Sequence, residues 1–225
     1  MVDIELNGKK IPNIKLLIFD KDGTLIDLYS YWGGMVNLRT DLICKAFNLP
    51  AEPHKDLLME AMGIDTKNKK IKPEGPVGIL PRKVVQKAAE DYLHSIGGQT
   101  DIEKRCTEVF AEADKLSLSK LDVFIKPIKG LYEMVAYLKA NGCQLAIATT
   151  DKTDRAELCL RTLDLSKDFA YVVGADQVKR SKPDPEMVNL ILARSGIAPQ
   201  NAVVVGDALT DIAIGKNAGL AASIG

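Results

Sequence analysis

Four consecutive apolar residues, from Leu16 to Phe19, are followed at once by Asp20 and, two positions later, by Asp22. The apolar run does not alternate with polar residues, which predicts a strand buried on both faces, as in the middle of a parallel sheet. Two carboxylates at the end of such a strand repel each other. The fold must therefore cover both faces of this strand, and the chemistry near its end must offset the charge.

Residues from 128 onward alternate between helix-like and strand-like patterns. This alternation is typical of a mostly parallel sheet with helices on both faces, and it predicts an α/β, doubly wound, Rossmann-like core. The strand predicted near residues 14–20 belongs to the same sheet. The predicted helices are 128–141, 153–164, 184–196 and 209–217, and the predicted strands are 143–149, 169–173, 201–206 and 220–224.

The segment between these parts has a different character. Its apolar residues recur at helical spacing, interrupted by proline and glycine, and no strand-like run occurs before Val123 to Ile125. We therefore predict a core made of residues 1–27 and 127–225, with an α-helical cap, residues 28–126, inserted after the first core strand. The helices predicted in the cap are 28–48, 53–62, 82–96 and 100–115.

The sequence ends in AGLAASIG, at the point where a buried strand would be finishing. An open sheet of this kind usually carries one more strand or helix. We therefore expect either a shortened chain or a missing tail.

The composition is that of a soluble globular protein, with 46% hydrophobic and 27% charged residues. Thirty basic and thirty acidic residues balance, so nothing indicates binding to nucleic acid or to an anionic membrane. No apolar run is long enough for a transmembrane helix, and the N-terminus lacks the apolar core of a signal peptide. The four cysteines have no metal-ligand spacing, which argues against a zinc site and favours reduced thiols in a cytoplasmic protein.

Three of the predicted strands end in polar residues. KLLIFD ends in Asp20, QLAIATT ends in Thr149 and Thr150, and AVVVGD ends in Asp207. Ligands of open parallel sheets bind at the carboxyl ends of the strands. We therefore expect these side chains to meet at one edge of the sheet.

Several acids would share that edge: Asp20, Asp22, Asp207 and Asp211. Without a cation, at least one of them would have to be protonated. Oxygen ligands and a nearby phosphate are the preferences of Mg²⁺, which we predict as the cofactor. Lys182, helix N-termini and a hydroxyl of Thr149 or Thr150 would then attract a phosphoryl group.

With the positive charge of Mg²⁺ and Lys182 nearby, one aspartate can attack phosphorus to form an acyl-phosphate, which water then hydrolyses. The second aspartate, two residues further along, can protonate the leaving alkoxide and later deprotonate the water. This division of labour gives a reason for the adjacent pair of acids.

Four motifs carry a resemblance to a known family: FDKDGTL (19–25), AIATT (146–150), SKPDP (181–185) and VVVGDALTD (203–211). In this order they resemble the haloacid dehalogenase-like (HAD) hydrolase superfamily, in its phosphatase branch with a helical cap after the first strand. The resemblance implies that Asp20 is the nucleophile and a metal ligand. It also implies that Asp22 is the general acid/base and binds the metal through its backbone carbonyl.

The resemblance assigns further roles. Lys182 would stabilise the phosphate and orient Asp20, and Thr149 would bind the phosphoryl group. Asp207 would be a metal ligand, and Asp211 an outer acid of the metal site. Apart from the resemblance, Asp211 has the alternative of being only a cap of the helix 209–217. Gly23 would let the chain leave the strand tightly, next to the phosphoryl group.

The sequence departs from the family pattern at two positions. Thr150 stands where an amide is usual, which puts one contact to phosphate or to Asp20 in doubt. Ala208 stands where a hydroxyl is common.

Arg39, in the predicted cap, offers a fork of donors that could bind a substrate carboxylate or a second phosphate. The alternative is an ordinary arginine on a helix surface.

The resulting hypothesis is a Mg²⁺-dependent cytoplasmic phosphatase, monomer or homodimer, acting on a small phosphorylated metabolite, with phosphoglycolate phosphatase as the family default. A phosphosugar mutase needs the same two aspartates and stays an alternative. A dehalogenase has no need of Asp22, and a phosphonate hydrolase would need a reactive cap lysine. Outside enzymes, a receiver-like signalling domain or a degenerate scaffold are the alternatives, although a receiver has no long insertion after its first strand.

Overall fold

A computed structural model describes all 225 residues of the chain. The strands are β1 (Val2–Leu6), β2 (Lys9–Ile14), β3 (Leu16–Phe19), β4 (Ile64–Asp65), β5 (Lys70–Ile71), β6 (Gln144–Ala148), β7 (Phe169–Val173), β8 (Ala202–Val205) and β9 (Ala222–Ile224). The helices are α1 (Leu28–Phe47), α2 (Ala51–Ala61), α3 (Arg82–Ile96), α4 (Ile102–Ser117), α5 (Leu121–Phe124), α6 (Leu131–Ala140), α7 (Thr153–Thr162), α8 (Glu186–Ser195) and α9 (Leu209–Asn217).

The chain divides into two compact units. One unit, the sheet unit, contains Met1–Asp27 and Pro127–Gly225, and the other, the helical unit, contains Leu28–Lys126. The sheet unit has the α/β architecture expected from the alternating pattern, which confirms the predicted fold class. No helix has the length and apolar character needed to cross a membrane.

The sheet unit is built on five parallel strands in the order β7-β6-β3-β8-β9. Strand β3 is central, and its last residue, Phe19, lies opposite Ile147 of β6 and Val205 of β8. All four residues of β3 are buried because helices cover both faces of the sheet. The carboxyl ends of β3, β6 and β8 are therefore level with one another.

A cluster of aliphatic side chains fills one side of this sheet. Ile18, Ala146 and Val204 pack there against Met187 and Ile191 of α8, and all five are fully buried. Each large aliphatic side chain buried in this way contributes about 1.5–3 kcal/mol to folding. This packing fixes the strand ends, where the polar residues begin.

Helix α8 begins at Glu186, two residues later than predicted. The carboxylate of Asp184 accepts a hydrogen bond from the amide of Glu186 at 3.0 Å and so caps the first turn. Lys182 precedes this cap and lies in the loop that leads to the helix.

The helical unit is organised around the 20-residue helix α1, which packs against α2, α4 and α5. Val36, Ile43 and Phe110 are among the side chains of its buried core. A short antiparallel pair, β4 with β5, was not predicted, because two-residue strands are too short for a periodic signal.

The apolar run Val123 to Ile125 is not a strand. Helix α5 covers most of it and buries Leu121 and Phe124, which are three positions apart and thus on one helical face. A Cβ atom added at Gly34 of α1 would lie 2.5 Å from the Phe124 ring, so the ring packs directly on the glycine. Tertiary packing of Phe124 therefore decides the local structure.

Candidate active site

The site begins at Asp20, the residue that follows β3. Its backbone amide donates to the carbonyl of Val205 at 2.8 Å, which continues the β3–β8 pairing by one residue. Its carboxylate Oδ1 lies 2.6 Å from Nζ of Lys182, and the same Nζ lies 2.6 Å from Oδ1 of Asp211. All three side chains are buried. One lysine thus bridges two acids below the carboxyl edge of the sheet.

Asp207, at the end of β8, brings a third carboxylate to the same place. One oxygen each from Asp20, Asp207 and Asp211 lie within 4.8 Å of one another. Burial, opposed by Lys182 and helped by the charge of Asp211, raises the pKa of Asp20 to about 6. Three acids against one ammonium leave negative charge uncompensated. The all-oxygen donor set, one member of which is exposed, fits a hard divalent cation.

Gly23 leaves room for the carboxylate of Asp207 beside the turn that follows β3. Its φ of +87° is in the region that favours glycine, and a Cβ atom added there would lie 2.3 Å from Oδ2 of Asp207. The neighbouring Thr24 hydroxyl donates to Oδ1 of Asp207 at 3.4 Å. The glycine is therefore needed both for the turn and for the position of the carboxylate.

Asp211 has two contacts. Its Oδ2 accepts a hydrogen bond from the amide of Ala208 at 3.1 Å, and its Oδ1 accepts from Lys182. A Cβ atom at Gly206 would lie 2.4 Å from the Asp211 side chain, so any side chain at position 206 would collide with Asp211. Asp211 therefore both caps the first turn of α9 and belongs to the acid–lysine cluster.

Asp22 faces a different partner. Its Oδ1 lies 2.6 Å from Nζ of Lys21, which also lies 3.4 Å from Oδ2 of Asp151. Lys21 is only 1% exposed. Burial raises the pKa of Asp22, and Lys21 opposes this shift. Asp22 is outside the group of three carboxylates described above.

Sequence reasoning missed Lys21 and Asp151. The signal available was a lysine placed between two acids at the end of a fully buried strand, where a charged side chain needs a partner. Asp151 follows the AIATT motif directly, and no sequence pattern links it to Lys21.

The two threonines after β6 differ. Thr149 is buried, its amide donates to the carbonyl of Val173, and its hydroxyl oxygen accepts from the amide of Asp151 at 3.1 Å. The hydroxyl proton is left to donate to a ligand. Thr150 is exposed at the bend that follows.

Arg39 lies in the helical unit and is buried, so the alternative of an exposed helix surface is wrong. Its Nη2 lies 3.4 Å from Oδ1 of Asp114 in the same unit. A substrate contact of Arg39 stays a prediction.

The sheet and the site together define an α/β protein with a cluster of acids and a lysine at the carboxyl edge of a parallel sheet. A family model described as haloacid dehalogenase-like hydrolase matches residues 14–219, and the chain belongs to that family. The resemblance drawn from the four motifs is thereby confirmed, and so is the expectation that the protein is a hydrolase.

Known proteins align with the chain to different extents. Pyrophosphatase PpaX of Bacillus velezensis is 37% identical over 116 residues, which cover 52% of this chain and 54% of that protein, so this alignment spans about half of each. Phosphoglycolate phosphatase of Salmonella choleraesuis is 27% identical over 224 residues, covering 93% of this chain and 80% of that protein. A HAD-superfamily hydrolase of subfamily IA from Geobacter sulfurreducens shares the fold, with a TM-score of 0.59 and 22% identity over 92% of this chain and 85% of that one.

Proposed function

We propose that the protein is a Mg²⁺-dependent phosphatase that hydrolyses a small phosphomonoester through an aspartyl-phosphate on Asp20. The observation that carries the proposal is the position of Lys182, with Nζ 2.6 Å from both Asp20 and Asp211. Such an ammonium holds the nucleophile in place and offers positive charge to a phosphoryl group. The similarity to a phosphoglycolate phosphatase over nearly the whole chain supports a small phosphorylated metabolite as the substrate.

Asp20 supplies the nucleophile. A carboxylate oxygen of Asp20 bonds to phosphorus while the bond from phosphorus to the ester oxygen breaks. Asp22, whose pKa is raised by burial, donates its proton to the leaving alkoxide. The products of this half-reaction are the alcohol and a phosphorylated Asp20.

The second half-reaction uses the same groups. Asp22, now a carboxylate, takes a proton from a water molecule, and the water oxygen bonds to phosphorus. The bond between phosphorus and Asp20 breaks, which releases inorganic phosphate and restores the free carboxylate. Lys21, ion-paired with Asp22, keeps this acid oriented in both steps.

Asp20, Asp207 and the carbonyl of Asp22 would hold Mg²⁺, with Asp211 behind them. When bound, the ion supplies positive charge that offsets the acids and the phosphoryl oxygens. Thr149 donates its hydroxyl to a phosphoryl oxygen, and Lys182 donates to another. The four buried, unpaired cysteines support a reducing compartment such as the cytoplasm.

The test is phosphate release from a panel of phosphorylated metabolites, with Mg²⁺ and with EDTA, by the wild type and by Asp20→Asn. We expect release by the wild type only with Mg²⁺ and a fall of at least about a thousandfold for Asp20→Asn, with the circular dichroism spectrum unchanged. Asp56→Asn, which changes an exposed aspartate of α2, is the matched control and should retain full activity. Transfer of the phosphoryl group to a phosphosugar without phosphate release would contradict the proposal.

A further inference from the structure

A cluster of charged side chains lies within the helical unit. Nε of Arg82, the first residue of α3, is 2.9 Å from Oδ2 of Asp114 on α4, and Nη2 of Arg39 on α1 is 3.4 Å from Oδ1 of the same carboxylate. Both guanidinium groups lie against the ring of Phe110, with their central carbons 4.7 Å (Arg39) and 5.4 Å (Arg82) from its centroid. The two arginines therefore share one acid and one aromatic ring.

The charges of this cluster do not balance. Two guanidinium groups against one carboxylate leave one positive charge in excess. Arg39 is 3% exposed, and burial lowers its pKa. Its Nε hydrogen is buried and has no hydrogen-bond partner. A buried cation with an unpaired donor is costly, and buried arginines normally have their donors paired.

A second unpaired donor lies on the same helix. Nε1 of Trp32 is buried and has no partner, and Trp32 precedes Arg39 by seven residues. Seven residues are about two turns, so the two side chains leave α1 on one face, about 10 Å apart along its axis. The Arg82 side chain is 42% exposed, which opens the cluster to solvent. An anion from solvent can therefore reach the guanidinium group of Arg82, beside that of Arg39.

We propose that Arg39 and Arg82 form a binding site for the carboxylate or phosphate group of a small molecule. Such an anion offers Arg39 Nε the acceptor that it lacks and offsets the positive charge that Asp114 leaves over. The site does not depend on the proposed phosphatase reaction. Its ligand has two sources: a second anionic group of the substrate, or a separate anionic molecule.

The first test uses Trp32, the single tryptophan of the chain, as a reporter of binding. Full-length Asp20→Asn protein in EDTA, which cannot turn over, is titrated with malonate. We expect a saturable change in tryptophan emission, and a Kd at least about tenfold weaker when Arg82→Gln is added. Lys87→Gln is the matched control, because it removes a positive charge from the exposed face of the same helix. It should leave the Kd unchanged.

Absence of a saturable change with malonate, or an equal Kd with and without Arg82→Gln, would overturn the site. Arg39→Met should abolish the response, provided that its circular dichroism spectrum matches the parent. Because Arg82 is on the surface, the Arg82→Gln result stands even where Arg39→Met fails to fold.

The second test identifies the source of the anion and requires activity with Mg²⁺. If the substrate supplies it, Arg82→Gln raises the KM for phosphoglycolate about tenfold or more and leaves the KM for phenyl phosphate unchanged. If a separate molecule supplies it, malonate changes the kinetics of both substrates alike in the wild type and of neither in Arg82→Gln. Absence of phosphate release from the whole panel of phosphorylated metabolites would refute the proposed function, while the fluorescence result would still decide the anion site.

Discussion

Nζ of Lys182 and Oδ1 of Asp20 lie 2.6 Å apart although 162 positions separate the two residues in the chain. The same ammonium contacts Asp211, so its removal would leave two buried carboxylates without a counter-ion. This cluster therefore affects both the stability of the protein and its dependence on pH.

Lys182→Met should destabilise the metal-free protein by about 3 kcal/mol, the usual cost of removing one partner from a buried ion pair. Urea unfolding in EDTA measures this free energy. Lys87→Met, on an exposed helix face, should change it by less than about 0.5 kcal/mol. Equal stabilities of Lys182→Met and the wild type would mean that the buried contacts do not exist in solution.

The contribution of Asp20 to the stability of the metal-free protein should fall as pH rises from about 4 to 6. The pKa of Asp20 is about 6 in the folded chain and near 3.8 when exposed, so the folded state holds this proton more tightly. Protonation therefore favours folding below about pH 6, and the advantage of up to about 3 kcal/mol is gone above it. The wild type and Asp20→Asn, unfolded with urea in EDTA at several pH values, should differ in slope over this interval.

The pKa of Asp20 should also affect the affinity of the site for Mg²⁺. Because Mg²⁺ competes with this proton, its apparent affinity should fall below about pH 6 and be constant above pH 7. Calorimetric titration with Mg²⁺ at pH 5, 6 and 7 measures the change. An affinity independent of pH would argue against Asp20 as a ligand.

Lys21→Met should impair the acid/base step without removing any of the three clustered carboxylates. The ammonium of Lys21 favours the charged form of Asp22, so its loss raises the pKa of Asp22 further. The pH optimum of kcat should move upward and kcat should fall about tenfold or more. Lys21→Arg should restore part of the activity and the original optimum. A lower kcat with an unmoved optimum would indicate a purely structural role.

Gly23→Ala should abolish activity, whereas Gly130→Ala should not. The two glycines have almost the same φ, +87° and +86°, so alanine strains the backbone equally, by about 1 kcal/mol. Only at Gly23 does the added Cβ collide with a side chain, the Asp207 carboxylate, while the space around Gly130 is open. Activity and thermal unfolding of both variants separate the collision from the strain. Equal activities would show that Asp207 has room to move.

Local sequence determined the fold class and the strands that reach the site. Uninterrupted apolar runs predicted buried strands, and the strand–helix alternation predicted a parallel sheet, because these patterns depend only on which faces of each element are buried. Asp20 and Thr149 follow the runs of β3 and β6 directly, and Asp207 follows that of β8 after one glycine. Their common edge is thus a consequence of parallel pairing in register.

Other features were decided by the tertiary structure alone. The ion pair of Lys21 with Asp151, and the burial of Arg39 against Phe110, depend on side chains from elements far apart in the chain. The strand-like run Val123 to Ile125 likewise lies mostly in helix α5, because Phe124 packs on Gly34. Periodicity gives the direction in which a residue points from its own element. The residue it meets is fixed only when the elements pack, since burial makes each charge require a partner from whatever surface lies opposite.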